Sequence, residues 1–517
     1  NYVHNIATAE RTGGTIEPQV MNQWFVAVNK PFTLPYSEFV EIPSGSQTTL
    51  KEIMRKAVES GRIDPSAIPG DPASAPQKIE ILPEHFNKTY FHWIDNLNDW
   101  CISRQIWYGH RIPVWYRSKS GKTLEKSGDL HPADPDLEIY CGVEAPADAA
   151  AGSSTGSNWL QDEDTLDTWF SSGLWSFSTM GWPQSYDASA HKAKTGTDLA
   201  AYHPTNILVT GHDILFFWVA RMILMTGYGL GTIPFKTVYL NGMVRDAKGQ
   251  KMSKSLGNGG DPIQISEKYG ADALRMFYAM ASTPGADSRI LEDKIKGFKH
   301  FGNKLWNITR FVLSAIVENP TTAPLIMNGE FDAEFFAGQP MTPADDDPMT
   351  PRHVRIWQEW KTALASISGH LDNYRIHLAA EELYHYIWHT FADKILEESK
   401  PILKPDFLKN APGDVLTESE KAAGETEAEK IILADQQDSG DAIERKQNMI
   451  AMAQTLLTIL REITLATHPF MPHITQEIWS LLPREMTAEI SEETHSDATN
   501  VASTHGMICV ERWPLHS

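Results

Sequence analysis

The stretch Thr205–Gly227, TNILVTGHDILFFWVARMILMTG, decides the fold. From Asn206 to Gly211 it is an apolar run of strand length, the composition of a strand buried in a parallel sheet. The following HDILFFWVARMILM is apolar over helix length, and Gly227 after it predicts the helix stop. The next apolar run, FKTVYLNGMV from Phe235, reads as a second strand. Strand, helix, strand implies a parallel α/β unit, and ligands of such sheets sit at the carboxyl ends of the strands. TGHD (Thr210–Asp213) and NGMVRD (Asn241–Asp246) stand at those ends.

Directly after the second strand comes RDAKGQKMSKSLGN, Arg245–Asn258. Arg245, Lys248, Lys251 and Lys254 lie there among Gly, Ser and Asn, in a chain whose net charge is −21. Lysines three apart can neutralise a polyphosphate, while Ser253 and Ser255 offer hydrogen bonds. Gly249 and Gly257 bound the loop and let its backbone approach the ligand. A solvated surface turn is the bland alternative for an arbitrary KxxK; the whole string KMSKS after a strand end favours the phosphate cradle.

Outward from this core, 517 residues predict two to four domains. A hydrophobic fraction of 41% with 16 Trp predicts a folded, soluble protein. The acidic balance excludes a purely electrostatic nucleic-acid binder, so any RNA contact needs a local basic patch. Cys101, Cys141 and Cys509 form no CxxC pair, so a closed Cys-based zinc site and a disulfide framework are not expected, and a reducing, cytosolic compartment is. The apolar run ILFFWVARMILM contains Arg221 and reads as too short to span a bilayer, so no membrane partner is expected.

Residues 1–30 read as short strands and 31–47, with three prolines, as loop. Thr49–Gly61 has a cap, an amphipathic run and a Gly stop, the pattern of a helix. Residues 118–158 are polar and loop-like, with an Ala/Gly/Ser tract at 148–157. From residue 262 the pattern turns helical: a pair within 262–280, a long helix from Asp293, a linker over 318–351, and helices near 352–370, 374–399 and 441–467. In the last, positions 449, 452, 453, 456, 457, 460 and 463 share one helical face. Residues 408–440 read as an exposed acidic loop. Core packing is expected for Trp93, Trp107, Trp175, Trp306 and Trp388. His385 and His389 are spaced i, i+4, but without HExxH or an acidic partner they read as a polar helix edge.

The string KMSKS is a signature of class I aminoacyl-tRNA synthetases. The blocks DWCISRQIWYGHRIPVWY, DEDTLDTWFSSGLWSFSTMGWP, ILVTGHDILFFWVARM, FKTVYLNGMVRDAKGQKMSKSLGN and THPFMPHITQEIW resemble the valyl-tRNA synthetase family over nearly the whole chain. The resemblance is weakest at 118–157, 318–350 and 408–440. It implies an α/β fold: the C-terminal half of a Rossmann-like parallel sheet with connective insertions, then an all-α anticodon-binding bundle. By that resemblance 1–30 ends an editing insertion, 31–160 holds connective insertions, 161–290 carries the second half of the catalytic domain, 291–485 binds the anticodon region and 486–517 is a C-terminal extension.

The same resemblance implies roles. Lys251 and Lys254 would hold ATP and the pyrophosphate leaving group. Gly211 and Asp213 would meet the aminoacyl-adenylate, Asp213 binding the substrate ammonium or a ribose hydroxyl; a plain helix N-cap is its alternative. Asn241, Gly242, Met243 and Val244 match the block that carries adenine and ribose, largely by backbone contact; the family usually has His where Asn241 stands. Trp169 and Ile214 match positions that shape the valine pocket. For Arg104 and His110 a structural connective module is as good a reading as a site. ATP with Mg2+, valine and tRNA(Val) are the implied ligands, with no zinc, and a monomer is expected at full length. Lys296, Lys299, Lys304, Arg310, Arg352, Arg355, Lys361 and Arg375 are candidate phosphate contacts for tRNA. No HxGH string, the family's second ATP signature, occurs in the 517 residues, so the chain is expected to be incomplete and inactive in valine activation by itself.

Overall fold

The computed structural model describes residues 6–9, 13–17, 20–64, 75–125, 127, 130, 134–146, 159–246, 248–250, 252, 261–332, 335–336, 350–403 and 442–482. By compactness the chain divides into two units, Asn1–Asn241 and Gly242–Ser517, each with its own hydrophobic core. The tract at 148–157, the acidic loop at 408–440 and the extension at 486–517 lie outside the described residues.

In the first unit the helix Leu50–Glu59 starts as its sequence predicts. The Thr49 hydroxyl accepts from the Glu52 amide at 3.1 Å, and Ile53, Met54 and Ala57 are buried. The chain turns away at Gly61, where φ is +73° and an added Cβ would lie 2.2 Å from the Gln77 carbonyl oxygen. Three parallel strands form the sheet, in the order Thr205–Gly211, Phe235–Asn241, Glu80–Leu82. The middle strand is buried along most of its length.

Thr205–Gly211 is one of the two edge strands among the described residues, and its burial differs from the expectation. Leu208 and Thr210 are buried, while Ile207 and Val209 are 38% and 52% exposed. An apolar run shows that a strand can be buried on both faces; the neighbours decide whether it is. The segment after it begins with a 3₁₀ turn, His212–Ile214, passes into a π turn, Leu215–Val219, and continues as the α-helix Ala220–Leu230. The helix stops at Gly231, with φ +68°, and not at Gly227. Gly227 lies inside the helix because Ile53 presses there: a Cβ would come within 2.3 Å of its Cγ2. Over His212–Leu230 the helix is long and apolar enough to cross a membrane, which corrects the reading of it as too short; 61% of its most apolar window is buried within the protein, as in a core helix.

Other elements were hidden in loop-like sequence. Leu137–Cys141 pairs antiparallel with Val114–Ser118, inside the segment read as loop. Phe32–Thr33 and Gln47–Thr48 form a two-stranded ladder in the proline-rich stretch. The core reading fails for Trp107, Trp175 and Trp306, which are 96%, 45% and 38% exposed; ring size says nothing about address.

The second unit is mainly helical. Asp261 caps Pro262–Tyr269, and Ala271–Ala281 follows after Gly270. The long helix Glu292–Val317, the helices Arg352–Asp372 and Ile376–His385, a π segment Tyr386–Ile395, and the helices Leu396–Leu403, Ala442–Thr467 and Pro472–Leu481 build a bundle. Its core contains Phe301, Ile308, Trp360, Leu383, Phe391, Leu460 and Trp479. Ala442–Thr467 buries more than its expected face. Gln454, Thr455, Glu462, Thr464 and Thr467 are buried as well, so its second half is enclosed nearly all round. The hydroxyl of Thr464 is satisfied by the Leu460 carbonyl at 2.7 Å. The order parallel α/β first, helical bundle second, is the expected fold class.

Candidate functional site

In the first unit the strand register sets Gly211 directly beside Asn241, so the two carboxyl ends anticipated from sequence do meet. Asp213 follows in the first 3₁₀ turn, exposed. The N-cap is Gly211, not Asp213, so the plain capping role does not describe it. His212 stacks on Phe86, with ring centroids 5.5 Å apart.

Ile214 opens the π turn. Such turns rotate successive side chains away from α-helical positions and recur at functional sites. Here the turn presents Phe217, 46% exposed, whose ring lies 5.8 Å from that of Trp169 at 29°. Trp169 sits in the short helix Thr168–Ser172, which the same turn holds: the Trp218 indole N–H donates to the Ser172 carbonyl at 3.0 Å. Trp169 therefore sits in a helix packed on the π turn, and Ile214 is the residue that immediately precedes that turn.

Behind Trp169 lies a charged cluster that sequence reasoning missed. Asp167 caps the Trp169 helix, its Oδ1 accepting from the Trp169 amide at 3.3 Å. Its Oδ2 accepts from the Trp100 indole at 3.1 Å and pairs with Arg104 at 2.9 Å. Arg221 lies with its guanidinium carbon 3.9 Å from the Trp100 ring centroid and 4.7 Å from that of Phe216. Burial pulls the Arg221 pKa down to about 10, against the opposing pull of the Asp167 charge. The only sequence signal for Asp167 was an acid at the N-cap position of DTWFSS.

In the second unit Met243 and Val244 are held from outside their own segment. The Met243 amide donates to Asp287 Oδ1 at 2.8 Å, and the Met243 carbonyl accepts from the Ser288 amide at 3.0 Å. Arg245 Nε donates to Asp287 Oδ2 at 2.6 Å, and Val244–Arg245 pairs with Ser288–Arg289. Gly242 is needed for this close approach: a Cβ there would lie 1.7 Å from the Ala286 carbonyl oxygen. The loop that follows starts in a turn on Asp246, whose Oδ1 accepts from the amides of Lys248 and Gln250 at 2.9 and 2.8 Å. Lys251, Ser253, Lys254, Ser255 and Gly257 lie outside the described residues.

Among the candidate phosphate contacts, Lys361 is corrected. It is buried and bonded to Glu462 at 2.9 Å, so it cannot reach a nucleic acid. Lys296, Lys299 and Arg310 are exposed along one side of Glu292–Val317, with Asn303 and Trp306 between them. The rings of His385 and His389 stack at 5.5 Å, and His389 lies 3.5 Å from Asp393.

Residues 54–291 match the class I tRNA synthetases (I, L, M and V), and residues 355–418 and 426–517 match the anticodon-binding domain of tRNA ligases. The chain is 36% identical to the valine–tRNA ligase of Bacillus licheniformis over 484 residues, which is 94% of this chain and 41% of that protein. It is 34% identical to that of Oceanobacillus iheyensis over 507 residues, 98% of this chain and 44% of that protein. The chain thus spans about two fifths of the length of these relatives. Among solved structures, the apo methionyl-tRNA synthetase of Mycobacterium tuberculosis shares the fold, with a TM-score of 0.50 at 13% identity over 93% of this chain and 66% of that one. The chain belongs to the class I tRNA synthetases of the isoleucine, leucine, methionine and valine group.

Proposed function

We propose that this chain is the KMSKS-bearing part of a valine–tRNA ligase, and that the complete enzyme joins valine to tRNA(Val) through valyl-adenylate. Identity of 34–36% to valine–tRNA ligases over 94–98% of the chain carries this reading. In it, Gly211 lets the adenylate approach the strand end and Asp213 binds the substrate ammonium or a ribose hydroxyl. Trp169 and Ile214 wall the valine side chain. Asn241, Gly242, Met243 and Val244 face adenine and ribose. The Met243 amide is already bonded to Asp287, so any backbone N–H contact of that block falls to its neighbours. Lys251, Lys254, Ser253 and Ser255 grip the phosphates of ATP and the Mg2+ that accompanies it.

Positive charge on the phosphates stabilises the charge that develops as pyrophosphate leaves. In the complete enzyme, Lys251→Ala is expected to lower kcat/KM for valine-dependent ATP–pyrophosphate exchange about a hundredfold, the scale of removing one such donor. The 517-residue chain alone is expected to give no exchange. Exchange driven by isoleucine in preference to valine, or an undiminished rate in Lys251→Ala, would count against the proposal.

The tRNA partner needs a basic surface in an acidic chain, and the Lys296, Lys299, Arg310 row supplies one. Replacing all three by Ala should flatten the dependence of log K for tRNA on log salt by roughly 2–3, since each phosphate that is no longer neutralised accounts for about 0.7–0.9 of the slope. Filter binding at several salt concentrations measures it; an unchanged slope would place the tRNA elsewhere.

A further inference from the structure

The valine pocket proposed above is walled by Trp169, but a five-residue helix cannot hold a tryptophan in place by itself. Something outside the helix must fix it. Asp167 is 6% exposed and receives three donors from two directions: the Trp169 amide from its own helix, and the Trp100 indole and Arg104 guanidinium from the segment 100–104. Its own amide donates to the Ile102 carbonyl at 2.7 Å, a third tie to the same segment. The Trp100 ring, fixed by the carboxylate, carries Arg221 on its face, and Arg221 follows the π turn that bears Phe217 and opens at Ile214. One carboxylate therefore ties the backbone of the Trp169 helix to the 100–104 segment, whose Trp100 ring also carries the Arg221 side chain.

We propose that Asp167 is a positioning residue for the amino-acid pocket. Held by Trp100 and Arg104, it fixes the first turn of the Trp169 helix and thereby sets the width of the pocket. The inference rests on the reading of Trp169 as a pocket wall. Asp167 touches no substrate; its effect is on where the indole stands. A pocket of this kind separates valine from isoleucine by a single methylene, worth about 10–200-fold, so a small displacement of one wall shows first in that ratio.

The test uses the complete synthetase and measures valine and isoleucine activation by ATP–pyrophosphate exchange. Asp167→Asn is nearly isosteric but loses the charge that pairs with Arg104. It is expected to raise KM for valine about tenfold with kcat and KM for ATP little changed, and to lower the valine/isoleucine ratio of kcat/KM about tenfold. Trp100→Phe, which removes one donor and keeps a ring under Arg221, should lower the ratio two- to threefold, less than Asp167→Asn because the carboxylate keeps its pair with Arg104. It also serves if Asp167→Asn does not fold. Adding Trp169→Ala to either variant should change the ratio no further than Trp169→Ala alone, because both act through the same ring. Normal valine activation with an unchanged ratio in the variants that fold would overturn this inference alone, leaving Asp167 a structural cap. Absence of valine activation in the unsubstituted enzyme would sink the proposed function, and this inference with it.

Discussion

Glu462→Ala is expected to destabilise the helical unit by about 3–5 kcal/mol, the usual cost of removing one partner from a buried ion pair. Glu462 is 5% exposed inside Ala442–Thr467. Its two oxygens are divided: Oε2 accepts from the Trp360 indole at 2.6 Å and Oε1 from Lys361 Nζ at 2.9 Å. Trp360 is fully buried and Lys361 is 8% exposed, so neither donor can turn to bulk water when the carboxylate is removed. The Lys361 ammonium stays near the Trp357 ring, 5.8 Å from its centroid, too weak a contact to replace a carboxylate. Taking the carboxylate away from a buried ammonium makes the loss large; the pair itself contributes little net stability. Hence Lys361→Met combined with Glu462→Leu should recover most of what Glu462→Ala loses, with the Trp360 N–H left unpaired. Urea unfolding followed by circular dichroism measures both. A loss below about 1 kcal/mol for Glu462→Ala would mean that water reaches Lys361.

The same network shows where sequence reading stops. The helix 442–467 was legible as a helix because apolar residues recur at its period, and that face is buried. Glu462 and Lys361 look like solvated charges in sequence because their partner lies 101 residues away. Only the packing of one helix on another brings them together. The Thr205–Asn241 unit was legible because its strands are apolar and its turn residues sit at the strand ends. Its helix end was not, because Gly227 serves close packing against Ile53, and the turn falls to Gly231. Glu80–Leu82, the third strand of the sheet, is three residues long, too short for period or composition to register. For the site, the residues at strand ends could be named from motif and topology. Asp167 and Asp287 could not, since each acts through bonds that span from 42 to 67 residues.

Acid should weaken the first unit well before its carboxylates titrate. His203 is half-buried, its buried Nε2 has no hydrogen-bond partner among the described residues, and its pKa is pushed down to about 4. Burial is the larger cause and the Arg62 charge the smaller. Arg62 is itself 6% exposed and fixed by Glu38 at 2.7 Å and Asp64 at 3.2 Å, so its charge does not move aside. An unfolded histidine binds its proton near pH 6.5. As pH falls below that value the unfolded chain takes up a proton that the folded unit refuses, and stability declines. The contribution is fully present above pH 6.5, drains away toward pH 4, and changes no further below it. Across the window it amounts to about 3 kcal/mol, at 1.36 kcal/mol per unit. Asp136, Asp187 and Glu41, whose pKa values are lowered by hydrogen bonds, work in the same direction but only at lower pH, while the raised Asp164 works against them. His203→Gln cannot titrate, so its unfolding free energy should be nearly flat from pH 6.5 to 4.5 where that of the unsubstituted unit falls. Parallel curves for the two proteins would show that His203 takes up its proton without unfolding, and that the buried site admits water.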